Sequence, residues 1–269
     1  MNWTKVKVIL IILFVLINLM LVGILLNKNA DDSSFSQQTL EEIKTILEKN
    51  NIEADDGLIT PEVRNMSVPE AVPIMSDNSS FVKRLQKRGT LNEKGDYIVG
   101  NVTVSVYEDV VHFENSGDTA MVGSNIEAAV EKFFSEFGID ALGSATEKIQ
   151  NGDSTELRYI QSYDGFEIFR TYVDVIVANN VIKSANLYWY EISNTNIQTA
   201  ETVSRAEALL DFAADKTRGG KACAVKSVTV GYGAEADAAE SVMNTQLIPT
   251  ARITTSIGSE FFYDIRNPA

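Results

Sequence analysis

A run from Val8 to Leu26 contains a single polar side chain, Asn18. As a helix, at about 1.5 Å per residue, it spans roughly 28 Å, close to the thickness of a bilayer's hydrocarbon core. The apolar core of a cleaved signal peptide is shorter, about 7–15 residues, and leads into a small-x-small cleavage motif. This run ends in Leu25-Leu26-Asn27-Lys28, with no such motif. The pattern predicts an uncleaved transmembrane helix over 8–26. Lys5 and Lys7 precede it, and Asp31 and Asp32 follow Lys28. Short basic flanks stay in the cytoplasm, so residues 1–7 read as a cytoplasmic tail and the rest as extracytoplasmic. An amide in hydrocarbon is either tolerated or hydrogen-bonded to another transmembrane helix, an interaction worth about 0.6–2 kcal/mol. The face around Asn18 carries Ile11, Phe14, Val15, Leu21, Val22 and Leu25. Phe14, Val15, Asn18, Leu21, Val22 and Leu25 are therefore the candidate partner-contacting residues.

The part beyond the helix holds all 37 acidic residues but not Lys5 and Lys7, so it is more acidic than the −14 of the whole chain. Nucleic-acid binding would call for a basic surface. The single cysteine, Cys223, cannot form an intramolecular disulfide, so stability must rest on a hydrophobic core. Low cysteine use outside a membrane suits a bacterial surface.

Residues 27–38 are polar and form a juxtamembrane linker. Beyond them a helix-start pattern occurs three times, at Thr39–Glu42, Ser124–Glu127 and Ser204–Glu207. Each is a capping box, in which a hydroxyl and a carboxylate three residues on satisfy backbone N–H groups of the first turn. Strand-like sequence follows each helix: Tyr97–Val106 and Val110–Glu114; then Leu157–Ser162, Phe166–Ala178 and Val181–Ile192; then Val225–Tyr232, Leu247–Thr255 and Glu260–Ile265. Turns at Tyr163–Gly165, Asn179-Asn180 and Gly258 favour hairpins. Helix followed by antiparallel strands, repeated, predicts an α+β fold with helices packed on antiparallel sheets. A boundary near 116–123 divides a membrane-proximal α+β domain (39–120) from a distal α+β domain of two similar halves (121–269). Residues 57–93 are the least legible, apart from the basic helical piece Phe81–Arg88.

Catalytic chemistry finds little support. His112 is the only histidine and sits in an alternating strand pattern. A Ser-His-Asp or Cys-His site would have to use it. There is no nucleophile elbow and no phosphate-binding glycine loop. The acidic loops Glu53–Gly57, Asn151–Glu156 and Gly233–Glu240 lack calcium-loop spacing. No catalytic residue, cofactor or metal site is assigned. The aromatic run Asn186–Ile192 reads as a strand with an aromatic core face, or as a sugar platform. Alternation places Leu187, Trp189 and Glu191 on one side and Tyr188, Tyr190 and Ile192 on the other.

Four stretches together resemble the YycI/YycH family of regulatory proteins of low-GC Gram-positive bacteria. They are Met1–Leu21, with its Trp, two lysines and apolar helix; Leu40–Pro61; Tyr163–Ile192; and Val225–Asn267. Where that family often has a proline followed by Trp-Arg, this chain has Pro249-Thr-Ala-Arg252, with Ala251 in place of the Trp. The resemblance implies a non-enzymatic, single-pass regulator in the cell membrane. It would act with a YycH-like companion on a WalK-like sensor histidine kinase that controls cell-wall metabolism, in part through transmembrane contacts. Two other readings stand beside it: a surface glycan hydrolase using two carboxylates, and a ligand-binding or protease-inhibiting module.

Overall fold

The computed structural model describes residues 35–107, 110–117, 125–140, 142–193, 197–234 and 245–267. The expected transmembrane helix, with Phe14, Val15, Asn18, Leu21, Val22 and Leu25, lies outside the described residues. No described helix is long and apolar enough to cross a membrane. The fold is α+β and mostly strand.

Four α-helices are described: α1 (Gln37–Lys49), α2 (Ser80–Arg88), α3 (Ile126–Phe137) and α4 (Arg205–Ala214). The first strands are β1 (Ile52–Glu53), β2 (Asn65–Val68), β3 (Glu70–Pro73), β4 (Thr90–Leu91), β5 (Tyr97–Val99), β6 (Val102–Tyr107) and β7 (Val110–Asn115). Then come β8 (Glu147–Asn151), β9 (Ser154–Tyr159), β10 (Ser162–Tyr163), β11 (Phe166–Glu167), β12 (Tyr172–Ala178), β13 (Val181–Tyr188) and β14 (Tyr190–Ile192). The last are β15 (Gln198–Glu201), β16 (Cys223–Ala234), β17 (Thr245–Thr255) and β18 (Glu260–Asp264).

The helix starts follow local chemistry. Ser204 and Glu207 form the expected capping box of α4. The other two boxes are displaced. Ser36, three residues before Thr39, caps α1 by accepting from the Thr39 N–H. Asn125 rather than Ser124 caps α3, accepting from the Ala128 N–H at 3.2 Å. Where several short polar side chains lie near a helix start, any of them can serve as its cap, so the pattern marks the helix and leaves its first residue open. Gly138 ends α3 in the left-handed conformation, φ 87°.

The strands form two large sheets. One has eight antiparallel strands in the order β4-β5-β6-β7-β13-β12-β9-β8. Helices α2 and α3 cover one face of it. Phe113 sits at the centre of that core, with the rings of Phe81, Phe133, Phe134 and Phe137 at 5.1–6.1 Å. The other sheet runs β1-β16-β17-β3-β14, with β18 beside β17. Helices α1 and α4 pack on it through Ile43, Leu47, Leu209 and Phe212 against Val228 and Ile253.

The chain does not divide at 116–123. Strands from both sides of that stretch share each sheet, and β7 pairs with β13 across it. The units are nested instead. Residues 74–189 build the eight-stranded unit, inserted into a six-stranded unit made of residues before and after them. Chain exit and return lie side by side: Pro73 pairs with Tyr190, and the Ile74 N–H donates to the Trp189 carbonyl at 3.0 Å. Strand alternation reports which face is buried but not which strand lies alongside, so sequence order was a poor guide to pairing.

The two units meet through the segment 160–171, a departure from the eight-stranded sheet. Its β10–β11 hairpin turns on Asp164 and Gly165, both at positive φ. Ile168 then bridges to Tyr232 of β16, and the Phe169 N–H donates to the Tyr232 carbonyl at 2.8 Å. Gly231 permits this approach, since a Cβ there would lie 2.5 Å from the Glu167 carbonyl oxygen and 2.7 Å from the Phe169 ring. The buried Gln161 amide stands in for a missing strand, donating to the Tyr190 carbonyl at 2.7 Å and accepting from the Tyr190 N–H at 3.0 Å. Arg252 of β17 grips Glu167 with two bonds of 2.8 and 2.9 Å and lies over the Phe169 ring.

Gly231→Ala is expected to destabilise the protein by about 1–3 kcal/mol, because backbone and ring must both yield; equal urea midpoints for variant and parent would contradict this. The Tyr159 hydroxyl is buried with no hydrogen-bond partner among the described residues. Burial first, then the charges of Glu127 and Glu131 on α3, push its phenol well above the ordinary value. A raised folded-state pKa adds stability below about pH 10 that is lost as pH rises beyond it. Tyr159→Phe should therefore be neutral or stabilising near pH 7 and lose less thermal stability than the parent at about pH 11. Parallel melting curves at the two pH values test this.

Candidate functional site

The eight-stranded sheet has one face under α2 and α3, so alternate side chains project from the other, open face. Register stacks them into rows. Ser105, His112, Asn186, Asp174, Arg158 and Glu147 stand opposite one another across β6, β7, β13, β12, β9 and β8. The neighbouring row is Thr103, Glu114, Ser184, Ile176, Glu156 and Ile149. Ile176 and Ile149 are exposed there, at 42% and 52%. A shallow trough of about 300 Å³ runs along the Arg158 end of these rows.

Several polar groups in the first row have defined partners. The His112 Nδ1 lies 2.8 Å from the Asn186 Oδ1; an amide oxygen only accepts, so Nδ1 carries the proton. Arg158 holds Asp174 through two bonds of 2.7 Å. That hydrogen bonding raises the Arg158 pKa above its ordinary value, and the Glu147 charge adds to it. At the far side, hydrogen bonds from Asn92 and then Ser105 hold the Asp96 carboxyl below the usual carboxylate range. The two rows carry four carboxylates (Glu114, Glu147, Glu156 and Asp174) against one cation, Arg158. Such a face can recognise a partner by cross-strand charge pairing and by apolar contact at the two isoleucines.

The structure brings the sequence-singled residues to different places. His112 lies on this open face, while Cys223 begins β16 in the other sheet, where its Sγ accepts from Arg218 at 3.3 Å. Among the described residues no group of three or more His, Cys, Asp or Glu is arranged to hold a metal. Of the acidic loops, Asp56 pairs with Lys44 of α1, and Glu235–Glu240 lies outside the described residues.

The aromatic run is a crossover between sheets. Leu187 and Trp189 are buried in the core under α2 and α3. Tyr190 is buried on the opposite side in a cluster with Met66, Ile168, Tyr232 and Leu247, with Tyr188 and Ile192 packed against it. The expected alternation is present, with Leu187 and Trp189 turned to one core and Tyr188, Tyr190 and Ile192 to the other side. The Glu191 carboxylate accepts from the Ser80 N–H at 2.7 Å at the start of α2. Beside the crossover a cleft of about 410 Å³ separates the units, walled by Phe169, Tyr188, Tyr190 and Phe262. Arg170, at φ 66°, lays its guanidinium 4.5 Å from the Phe262 ring centre there.

The polar row was missed in the sequence. Each strand shows an alternating polar residue, but only pairing aligns Asp174, Arg158 and Glu147. The ion pair is half-exposed, so a double-mutant cycle of Arg158→Ala and Asp174→Ala should give a coupling of about 0.5–1 kcal/mol. A coupling well above that in thermal unfolding would mean the pair anchors the sheet rather than decorating it.

No family model and no curated protein matches the chain. Among solved structures, an uncharacterised protein from Eubacterium rectale aligns at 10% identity and a TM-score of 0.44, over 76% of this chain and 85% of its own. The C-terminal domain of Bacillus megaterium YpeB aligns at 9% identity and a TM-score of 0.29, over 87% of this chain and 94% of its own.

Proposed function

We propose that the protein is a membrane-anchored, non-enzymatic regulator of a sensor histidine kinase that controls cell-wall metabolism. The anchor is the helix over 8–26, with residues 1–7 in the cytoplasm and the α+β body outside. The observation that carries this reading is the coupling of that apolar, basic-flanked run to an acidic, single-cysteine body through the short polar linker 27–38. The resemblance of four stretches to the YycI/YycH family supports it and supplies the partners, a WalK-like kinase and a YycH-like companion. The anchor acts by binding one signalling state of the kinase better than the other, since only differential contact shifts such an equilibrium. Asn18, with Phe14, Val15, Leu21, Val22 and Leu25, forms its contact face.

Crosslinked pull-down of the full-length protein from native membranes, read by mass spectrometry, is expected to recover a sensor kinase and a second single-pass protein. Recovery of neither, with wall fragments retained instead, would transfer the assignment to a glycan-acting protein. Asn18→Leu is expected to reduce both co-purification and kinase control, a loss of order 3–30-fold for one interhelical hydrogen bond of about 0.6–2 kcal/mol. Unchanged values for both would remove Asn18 from the interface.

A further inference from the structure

Strand β8 ends the eight-stranded sheet. All five of its residues, Glu147–Asn151, are exposed, and among the described residues it pairs only with β9. An edge strand with its outer backbone unpaired is a template for one more strand. What that strand must carry follows from the rows it would extend. The first reads Asp174, Arg158, Glu147: anion, cation, anion, each directly opposite the next. Arg158 is committed to Asp174 by two 2.7 Å bonds, so Glu147 faces the edge without a bidentate partner of its own. The neighbouring row reads Ile176, Glu156, Ile149 and ends in an isoleucine that is half-exposed.

From this juxtaposition we infer that β8 is a docking edge for an extended segment of a partner protein in which a Lys or Arg alternates with an apolar residue. The cation completes the alternating charge row beside Glu147. The apolar side chain, two residues away on the same face, covers Ile149. The neighbouring carboxylate Glu156, directly opposite Ile149, favours approach of a basic segment over an acidic one. A second copy of this chain does not meet the requirement. On β8 the open-face residues are Glu147, Ile149 and Asn151, so antiparallel self-pairing that preserves the face sets Glu147 against an asparagine, an isoleucine or another glutamate. The inference concerns the edge alone and holds whether or not the partner is a kinase.

The test uses full-length protein in detergent micelles and a short, fluorescently labelled synthetic peptide in which lysine alternates with valine. The comparison peptide replaces each lysine with glutamate. Anisotropy is expected to show salt-sensitive binding of the lysine peptide and none of the glutamate peptide. Glu147→Lys is expected to weaken the lysine peptide at least about tenfold and to admit the glutamate peptide; Glu147→Gln should fall between. Circular dichroism confirms that these exposed-site variants fold. Failure of the lysine peptide to bind, or binding indifferent to both substitutions, would overturn the proposal. So would a concentration-dependent dimer, seen by sedimentation, that Glu147→Lys abolishes.

Discussion

One short segment holds the two halves of the molecule together. From Leu187 to Ile192 the chain leaves the eight-stranded sheet and joins the six-stranded one within a few residues, so a single extended stretch serves two cores at once. Its alternation lets it do so, with Leu187 and Trp189 turned to one core and Tyr190 and Ile192 to the other. Everything around it secures that arrangement. The Gln161 amide satisfies the Tyr190 backbone, the Glu191 carboxylate starts α2, and the bare Gly231 lets the segment 166–169 lie against β16. The buried Gln161 amide is tolerated because both of its ends find a partner; unpaired, it would cost about 1–3 kcal/mol.

How much of this was legible in the sequence depended on the range of the interaction. Features set within one turn or one hairpin were readable: the α4 capping box at Ser204 and Glu207, the Gly138 stop, the turns at Asp164-Gly165, Asn179-Asn180 and Gly258, and the basic helix ending at Arg88. The alternation along Leu187–Ile192 was readable too, but not which of its sides each core would take. Features set by which strands meet were not. Ile52 pairs with Cys223 and Ala71 with Thr245, partners that no local periodicity announces. Short strands such as β3 and β4 are too brief to show alternation, which is why residues 57–93 resisted reading and the domain boundary was misplaced. The polar row on the open face failed for the same reason. Arg158 and Asp174 look like ordinary solvated charges until the register sets them opposite each other.

Ala251 illustrates the difference between a motif and its setting. It stands where the resembled family often has tryptophan. In this protein it is fully buried in β17, opposite Val230 and Tyr263. It belongs to the core that also holds Phe212, whose ring lies 5.1 Å from that of Phe261. The next residue, Arg252, points to the other side of the sheet and ties β17 to the inserted unit through Glu167. The departure is therefore accommodated by packing on one face and leaves the ion pair on the other.

The nesting of one unit within the other has a consequence for the order of events on the ribosome. Residues 74–189 emerge as an uninterrupted block and can close their own sheet and core as soon as they are out. The flanking unit cannot. Its first helix and first strand are made early but wait for β16 and β17, more than a hundred residues later, before their apolar faces are covered. Such distant pairings are slow to form, because the entropy of closing a long loop must be overcome before any contact rewards it. Ile43, Leu47 and Ile52 thus spend the longest time uncovered during synthesis. The inserted unit matures first and holds Pro73 and Tyr190 together, which brings the two distant pieces of the outer unit within reach of each other.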